Sequence, residues 1–79
     1  MYKEINGESY ELWIGSSDKS VITQEKKRIK DIFPGKQSKV RQITISHAMR
    51  FGTGVYKDYE LLVDTKTYNN LIRMNIFPQ

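Results

Sequence analysis

Apolar and polar residues alternate along two stretches of the segment 39–64, one on each side of Gly52-Thr53-Gly54. Alternation with a period of two is typical of a strand with one buried face, and glycine accepts the positive φ that tight turns need. The apolar positions with odd numbers are Ile43, Ile45, Met49, Phe51, Val55, Tyr59, Leu61 and Val63. A three-residue loop at 52–54 pairs odd with odd positions, so the pattern predicts a hairpin whose odd-numbered face builds the core.

The predicted register of this hairpin follows from the loop length. It pairs Phe51 with Val55, Met49 with Lys57, His47 with Tyr59, Ile45 with Leu61 and Ile43 with Val63. Each pair places two side chains on the same face of the sheet. His47 then lies on the inner face, where a structural histidine is a simpler explanation than a catalytic or pH-switching one.

The chain before the central hairpin predicts a second, shorter hairpin. Tyr10, Leu12 and Ile14 alternate within an extended segment, and Asn6-Gly7 is a turn signal that folds the first residues back as an edge strand. If the alternating residues face inward, Trp13 faces outward, because successive side chains of a strand point to opposite faces.

A first helix is predicted between the two hairpins. It begins at Ser20 or Thr23, whose hydroxyl can satisfy a free amide of the first turn, and it runs to about Phe33. Pro34-Gly35 ends it, because proline cannot continue a helix. Its apolar stripe consists of Ile22, Ile29, Ile32 and Phe33.

A second helix follows the central hairpin directly. It begins at Asp64 or Thr65 and runs toward Phe77. Its inner stripe consists of Tyr68, Leu71, Ile72 and Ile76. The order strand or hairpin, helix, β-hairpin, helix predicts a single small α+β domain over residues 1–79. In it, two helices pack on one face of a small antiparallel or mixed sheet.

The opposite face of the predicted sheet is open and carries Trp13 together with even-numbered residues of the hairpin. Its members are Trp13, Val40, Thr44, Arg50, Tyr56, Asp58, Glu60, Leu62 and Asp64. Because its acidic residues outnumber its basic one, this face is expected to repel phosphates.

Composition narrows the classes of protein further. The chain has no cysteine, which excludes disulfides and thiolate-bound metals and fits a reducing compartment. No apolar run approaches the roughly 18 to 20 residues that span a bilayer, and the first residues are unlike a secretory signal. We therefore expect a cytoplasmic protein with no membrane partner.

Positive charge is concentrated in one part of the chain. The net charge is +4, and residues 19–41 contain eight basic and two acidic residues, so the remainder of the chain is net negative. The candidate phosphate contacts are Lys26, Lys27, Arg28, Lys30, Lys36, Lys39 and Arg41. A solvated helix face is the alternative explanation. The last three residues of the set favour a functional surface, because they extend the charge beyond the helix.

The residues that catalysis requires are sparse. The chain has one histidine, no metal-ligand spacing such as H-x-x-x-H, and no base and orienting acid beside a serine, so no catalytic, metal or cofactor site is predicted. Asp58 and Glu60 share a strand face, where making that face soluble explains them better than catalysis does. Gly52-Thr53-Gly54 lacks the Lys-Ser/Thr ending of a phosphate-binding loop, so turn chemistry explains it.

Two functions remain. The leading hypothesis is a non-catalytic nucleic-acid-associated module that binds DNA or RNA through the basic residues of segment 19–41. The alternative is a small inhibitor or adaptor, of the kind that phages and mobile elements encode, which binds an acidic or nucleic-acid-handling protein through the basic patch and exposed aromatic residues. Its predicted interface residues are Trp13, Tyr56, Leu62 and Arg50. A homodimer through the open sheet face or an edge strand is compatible with both.

Overall fold

The structure is a computed structural model that describes residues 1–34, 38–48 and 54–78. Its elements are β1 (Lys3–Ile5), β2 (Glu8–Ser16), α1 (Lys19–Ile32), β3 (Val40–Ala48), β4 (Val55–Asp64) and α2 (Thr65–Arg73). The strands form one curled antiparallel sheet in the order β1-β2-β4-β3. The prediction of a small α+β fold is confirmed.

The first hairpin forms as its turn signal predicts. Asn6 and Gly7 both have positive φ, at 52° and 81°, which is the requirement of a type I′ turn. The turn pairs Ile5 with Glu8 and Lys3 with Tyr10. Glu8 is therefore the first residue of β2 and lies directly after the turn.

A bulge in β2 makes the prediction for Trp13 wrong. Leu12 pairs with Leu62 and Ile14 pairs with Leu61, so β2 contains one more residue than β4 at this point. The extra residue breaks the alternation of the strand. Trp13 is only 4% exposed and belongs to the core cluster, whereas it was predicted to face outward.

The predicted register of the central hairpin is also wrong. His47 pairs with Tyr56 and Ala48 pairs with Val55, a displacement of three residues that sets odd positions against even ones. The reason lies at the end of β4, where three consecutive apolar side chains, Leu61, Leu62 and Val63, are all fully buried. Where both faces of a strand are buried, alternation no longer decides the register. The predicted partners Met49 and Phe51, and most of the predicted turn (Gly52 and Thr53), lie outside the described residues.

Helix α1 begins earlier than predicted, with a cap two residues before Ser20 and five before Thr23. Its N-cap is Asp18, whose Oδ1 accepts a hydrogen bond of 2.9 Å from the Ser20 amide. This satisfies one of the free amides of the first turn, which was the role predicted for Ser20 or Thr23. The helix ends at Ile32 as predicted, and Pro34 follows its C-cap, Phe33.

Helix α2 begins where it was predicted and ends earlier. Asp64 is its N-cap and accepts from the Thr67 amide at 3.3 Å. Its end is fixed by Asn75, which has a φ of 58°. The Asn75 amide donates to the Ile72 carbonyl at 3.0 Å and the Ile76 amide donates to the Leu71 carbonyl at 2.9 Å. This is the Schellman arrangement, which stops a helix at Arg73 instead of near Phe77.

One apolar cluster receives side chains from the sheet and from both helices. Its buried members are Trp13, Ile22, Ile29, Leu61, Val63 and Leu71. The predicted stripes of both helices contact it, and Val40, predicted on the open face, packs against it as well. Tyr10 and Leu62 are buried outside this cluster. In the part of the chain that the structure describes, neither helix is long and apolar enough to cross a membrane.

Candidate functional site

A groove of about 590 Å³ lies where α1, the first hairpin and the beginning of β3 meet. Its lining consists of Ile5, Asn6, Glu8, Tyr10, Lys26, Lys30, Ser38, Lys39, Val40, Arg41 and Gln42. Four of these residues are cations and one is a carboxylate. We call this site the basic groove.

The basic groove brings together four of the seven predicted phosphate contacts. Lys26 and Lys30 lie one turn apart on α1, so both reach the same side of the helix. Lys39 and Arg41 are two positions apart at the start of β3, so they share one side of an extended chain. Lys27 is not among the lining residues, and Lys36 lies outside the described residues.

Lys30 ties the helix to the segment that precedes β3. Its Nζ donates a hydrogen bond of 2.7 Å to the carbonyl of Ser38. Ser38 is buried, and its hydroxyl donates to the Phe33 carbonyl at 3.3 Å. This cation therefore contributes to the shape of the basic groove as well as to its charge.

Lys39 combines a fixed backbone with an exposed side chain. Its amide donates to Asp64 Oδ1 at 3.0 Å, and its carbonyl accepts from the Asp64 amide at 3.0 Å. Its ammonium pairs with the carboxylate of Glu8. The hydrogen bond to Glu8 raises the pKa of Lys39 above its ordinary value.

Tyr10 stands between Glu8 and Arg41. Its hydroxyl donates to Glu8 Oε2 at 3.4 Å and accepts from Arg41 Nε at 3.4 Å. Its ring is 2% exposed, so it is not available for stacking on a base. Sequence reasoning missed both Glu8 and Tyr10, although the turn signal at Asn6-Gly7 places them on the same side of β2.

Arg28, also predicted as a phosphate contact, lies away from the basic groove and pairs with a buried carboxylate. It donates to Glu25 Oε1 from Nε at 2.8 Å, and its terminal nitrogen donates to the Phe77 carbonyl at 2.8 Å. Glu25 is buried and also accepts from Trp13 Nε1 at 3.0 Å. Arg28 therefore neutralises a buried carboxylate and holds the segment after α2, instead of lining the basic groove.

The predicted protein interface is not assembled. Trp13 and Leu62 are buried, which contradicts their predicted exposure, and Arg50 lies outside the described residues. Tyr56 remains, with about half of its surface exposed. Its ring stacks on His47 with centroids 4.8 Å apart, and His47 Nε2 lies 3.1 Å from Asp58 Oδ2. His47 was predicted to face inward opposite Tyr59, so that prediction is wrong as well.

Within residues 1–34, 38–48 and 54–78, no three His, Cys, Asp or Glu side chains are grouped closely enough to hold a metal ion. Searches against protein-family models, curated proteins and solved structures found no match.

Proposed function

We propose that the protein is a non-catalytic nucleic-acid-binding module whose phosphate contacts lie in the basic groove. The observation that carries this proposal is that cations from two separate parts of the chain line one open groove: Lys26 and Lys30 on α1, and Lys39 and Arg41 around the start of β3. A solvated helix face explains lysines on α1 alone. It does not explain why Lys39 and Arg41 line the same groove.

The chemistry of the basic groove favours contact with the phosphate backbone over contact with bases. The aromatic ring in its lining, Tyr10, is buried, and stacking requires an exposed ring face. Lysine and arginine neutralise phosphates without reading sequence. We therefore expect little sequence preference. If all four cations meet phosphates, log K should fall with log salt with a slope of about −3 to −4.

The proposal includes an arrangement of the helices. We infer that α1 and α2 cover the same face of the sheet, because Ile22, Ile29 and Leu71 all belong to one cluster with Leu61. The basic groove then lies at the border of this covered face, beside α1. Arg28 is left out of the binding surface because it pairs with Glu25.

The decisive experiment compares two triple variants that remove the same charge. The first replaces Lys26, Lys39 and Arg41 by Gln, which leaves the Lys30 contact with Ser38 intact. The control replaces Lys57, Lys66 and Arg73 by Gln; these residues are exposed and do not line the basic groove. Affinity is measured by fluorescence anisotropy for labelled single strands and duplexes at low ionic strength.

We expect the basic-groove variant to bind at least about tenfold more weakly than wild type, because each phosphate contact that is lost weakens binding at low salt. The control is expected to stay within about threefold of wild type, because exposed charges at a distance are screened. Equal weakening in both variants would assign binding to net charge, and the absence of binding to either nucleic acid would refute the proposal.

The alternative, an inhibitor or adaptor that binds a protein, is supported by one feature. Tyr56 on β4 is about half exposed. Tyrosine is enriched among the residues that anchor protein interfaces. Under this alternative, Tyr56→Ala abolishes capture of a partner protein from lysate after nuclease treatment. Under the leading proposal, the basic-groove variant has a larger effect on binding than Tyr56→Ala has.

A further inference from the structure

Glu8 is the carboxylate in the lining of the basic groove, and it contacts Lys39, one of the cations proposed to hold phosphate. Its Oε1 pairs with the ammonium of Lys39. Its Oε2 accepts from the hydroxyl of Tyr10, which in turn accepts from Arg41 Nε. One anion is therefore connected to two cations of the basic groove, to Lys39 directly and to Arg41 through one hydroxyl.

The backbones of this pair are fixed, whereas the side chains are accessible. Glu8 begins β2 and pairs with Ile5, and Lys39 is held by two hydrogen bonds to Asp64. The side chains of Glu8 and Lys39 are 41% and 57% exposed. A change of side-chain rotamer alone is therefore sufficient for Lys39 to leave Glu8 and meet another anion.

We propose that Glu8 is an internal counter-anion of the basic groove, which a phosphate of the bound polyanion displaces from Lys39. This role rests on the proposed function of the basic groove and describes how its affinity is set. A ligand with a single carboxylate would only replace one carboxylate by another on Lys39, so the exchange would contribute little to its affinity. A polyanion brings several charges, which meet Lys26, Lys30 and Arg41 at the same time, so Glu8 favours polyanions over isolated anions.

The variant Glu8→Gln tests this role because it removes the charge and keeps the shape. We expect Glu8→Gln to bind a labelled single strand of about 12 nucleotides roughly two- to fivefold more tightly than wild type at low ionic strength, the range that exposed ion pairs contribute. Glu4→Gln is the matched control. Glu4 lies on the same hairpin and pairs with Ser9, so it is on the opposite face from Glu8 and should leave the affinity unchanged.

A double-mutant cycle separates displacement from repulsion at a distance. If Glu8 acts by occupying Lys39, then Glu8→Gln has no effect on affinity in a Lys39→Gln background. Equal tightening in both backgrounds would overturn the proposal, and so would equal tightening by Glu4→Gln. Circular dichroism of each variant verifies that the fold is retained.

A second probe distinguishes failure of this role from failure of the proposed function. Tripolyphosphate, titrated calorimetrically, presents several phosphates without a base or sugar. If neither protein binds the strand but Glu8→Gln binds tripolyphosphate more tightly, the counter-anion role stands and the nucleic-acid function fails. If wild type and Glu8→Gln bind the strand equally, the role of Glu8 is refuted and the nucleic-acid function stands.

Discussion

Two carboxylate–cation pairs in this protein have the same chemistry and opposite surroundings. Glu25 and Arg28 have side chains that are 6% and 28% exposed, whereas the corresponding values for Glu8 and Lys39 are 41% and 57%. Glu25 also accepts from the indole of Trp13, so the buried pair is completed by a third group. The buried pair is therefore part of the fold, and the exposed pair can exchange its partner for a ligand.

The difference between the pairs shows that a positive residue in a sequence does not define a binding residue. Arg28 and Lys39 were both predicted as phosphate contacts because both belong to the basic segment 19–41. Solvent access separates them, since Arg28 would leave a buried carboxylate unpaired if it turned toward a phosphate. Lys39 would leave only an exposed carboxylate, which water can solvate.

The largest loss of stability is expected from Glu25→Ala, which removes the carboxylate of the buried pair. This change removes the acceptor of Trp13 Nε1 and leaves the Arg28 charge without its partner, which should cost about 3 to 5 kcal/mol of the free energy of unfolding. Urea denaturation followed by circular dichroism measures the loss. Glu25→Gln retains an acceptor for the indole and is the matched control, expected to lose less. A loss below about 1 kcal/mol for Glu25→Ala would show that the buried pair is not structural.

An intermediate loss of stability is expected from Asp64→Ala, because Asp64 holds both the start of α2 and the backbone of Lys39. Its carboxylate caps α2 through the Thr67 amide and also accepts from the Lys39 amide. Loss of a cap costs about 1 kcal/mol, and a second lost hydrogen bond adds a similar amount, so we expect about 2 kcal/mol in the same denaturation experiment.

Asp64→Asn keeps an oxygen that can accept one of these bonds, and it should be milder than Asp64→Ala. Equal losses for the two variants would indicate that the charge of Asp64, and not its hydrogen bonds, stabilises the start of α2.

The smallest effect is expected from Lys39→Gln, because the Glu8–Lys39 pair is exposed and screened by salt. The direction in which the stabilisation by this pair changes with pH is defined. Glu8 raises the pKa of Lys39 above 10.5, so the stabilising contribution is complete below that value and disappears as the pH rises through the pKa of the folded protein.

The difference in Tm between wild type and Lys39→Gln should therefore be small around pH 8 and approach zero as the pH rises above 10.5 and through the raised pKa of Lys39 in the folded protein. The measurement is thermal denaturation at low ionic strength, with a high-salt series in which the difference should also shrink. A difference that grows with pH would contradict the assigned partner.

The sequence was sufficient to predict elements that depend on local chemistry. The turn at Asn6-Gly7, the end of α1 before Pro34 and the cap at Asp64 each follow from the conformational preference of the residues involved. The apolar stripes of both helices were also predicted, because helical spacing leaves only one way for such residues to face a core.

The errors arose where distant parts of the chain decide the outcome. Alternation assigns faces only while a strand is regular, and the bulge at Trp13 is visible only once β2 is paired with β4. Likewise, nothing local shows that Leu62 is buried on the side opposite Leu61. The grouping of charges along the sequence identified the four cations of the basic groove. It could not identify Glu8, which pairs with Lys39 but is distant from it in the sequence.

The position of Trp13 has a consequence for spectroscopy. It is the one tryptophan of the chain, it is buried in a T-shaped contact with Tyr68 with ring centroids 6.0 Å apart, and it does not line the basic groove. Its intrinsic emission should shift to longer wavelength when the core opens to water and stay constant when the basic groove is filled. The protein therefore contains its own optical probe of unfolding, and a ligand that changes this emission has disturbed the core.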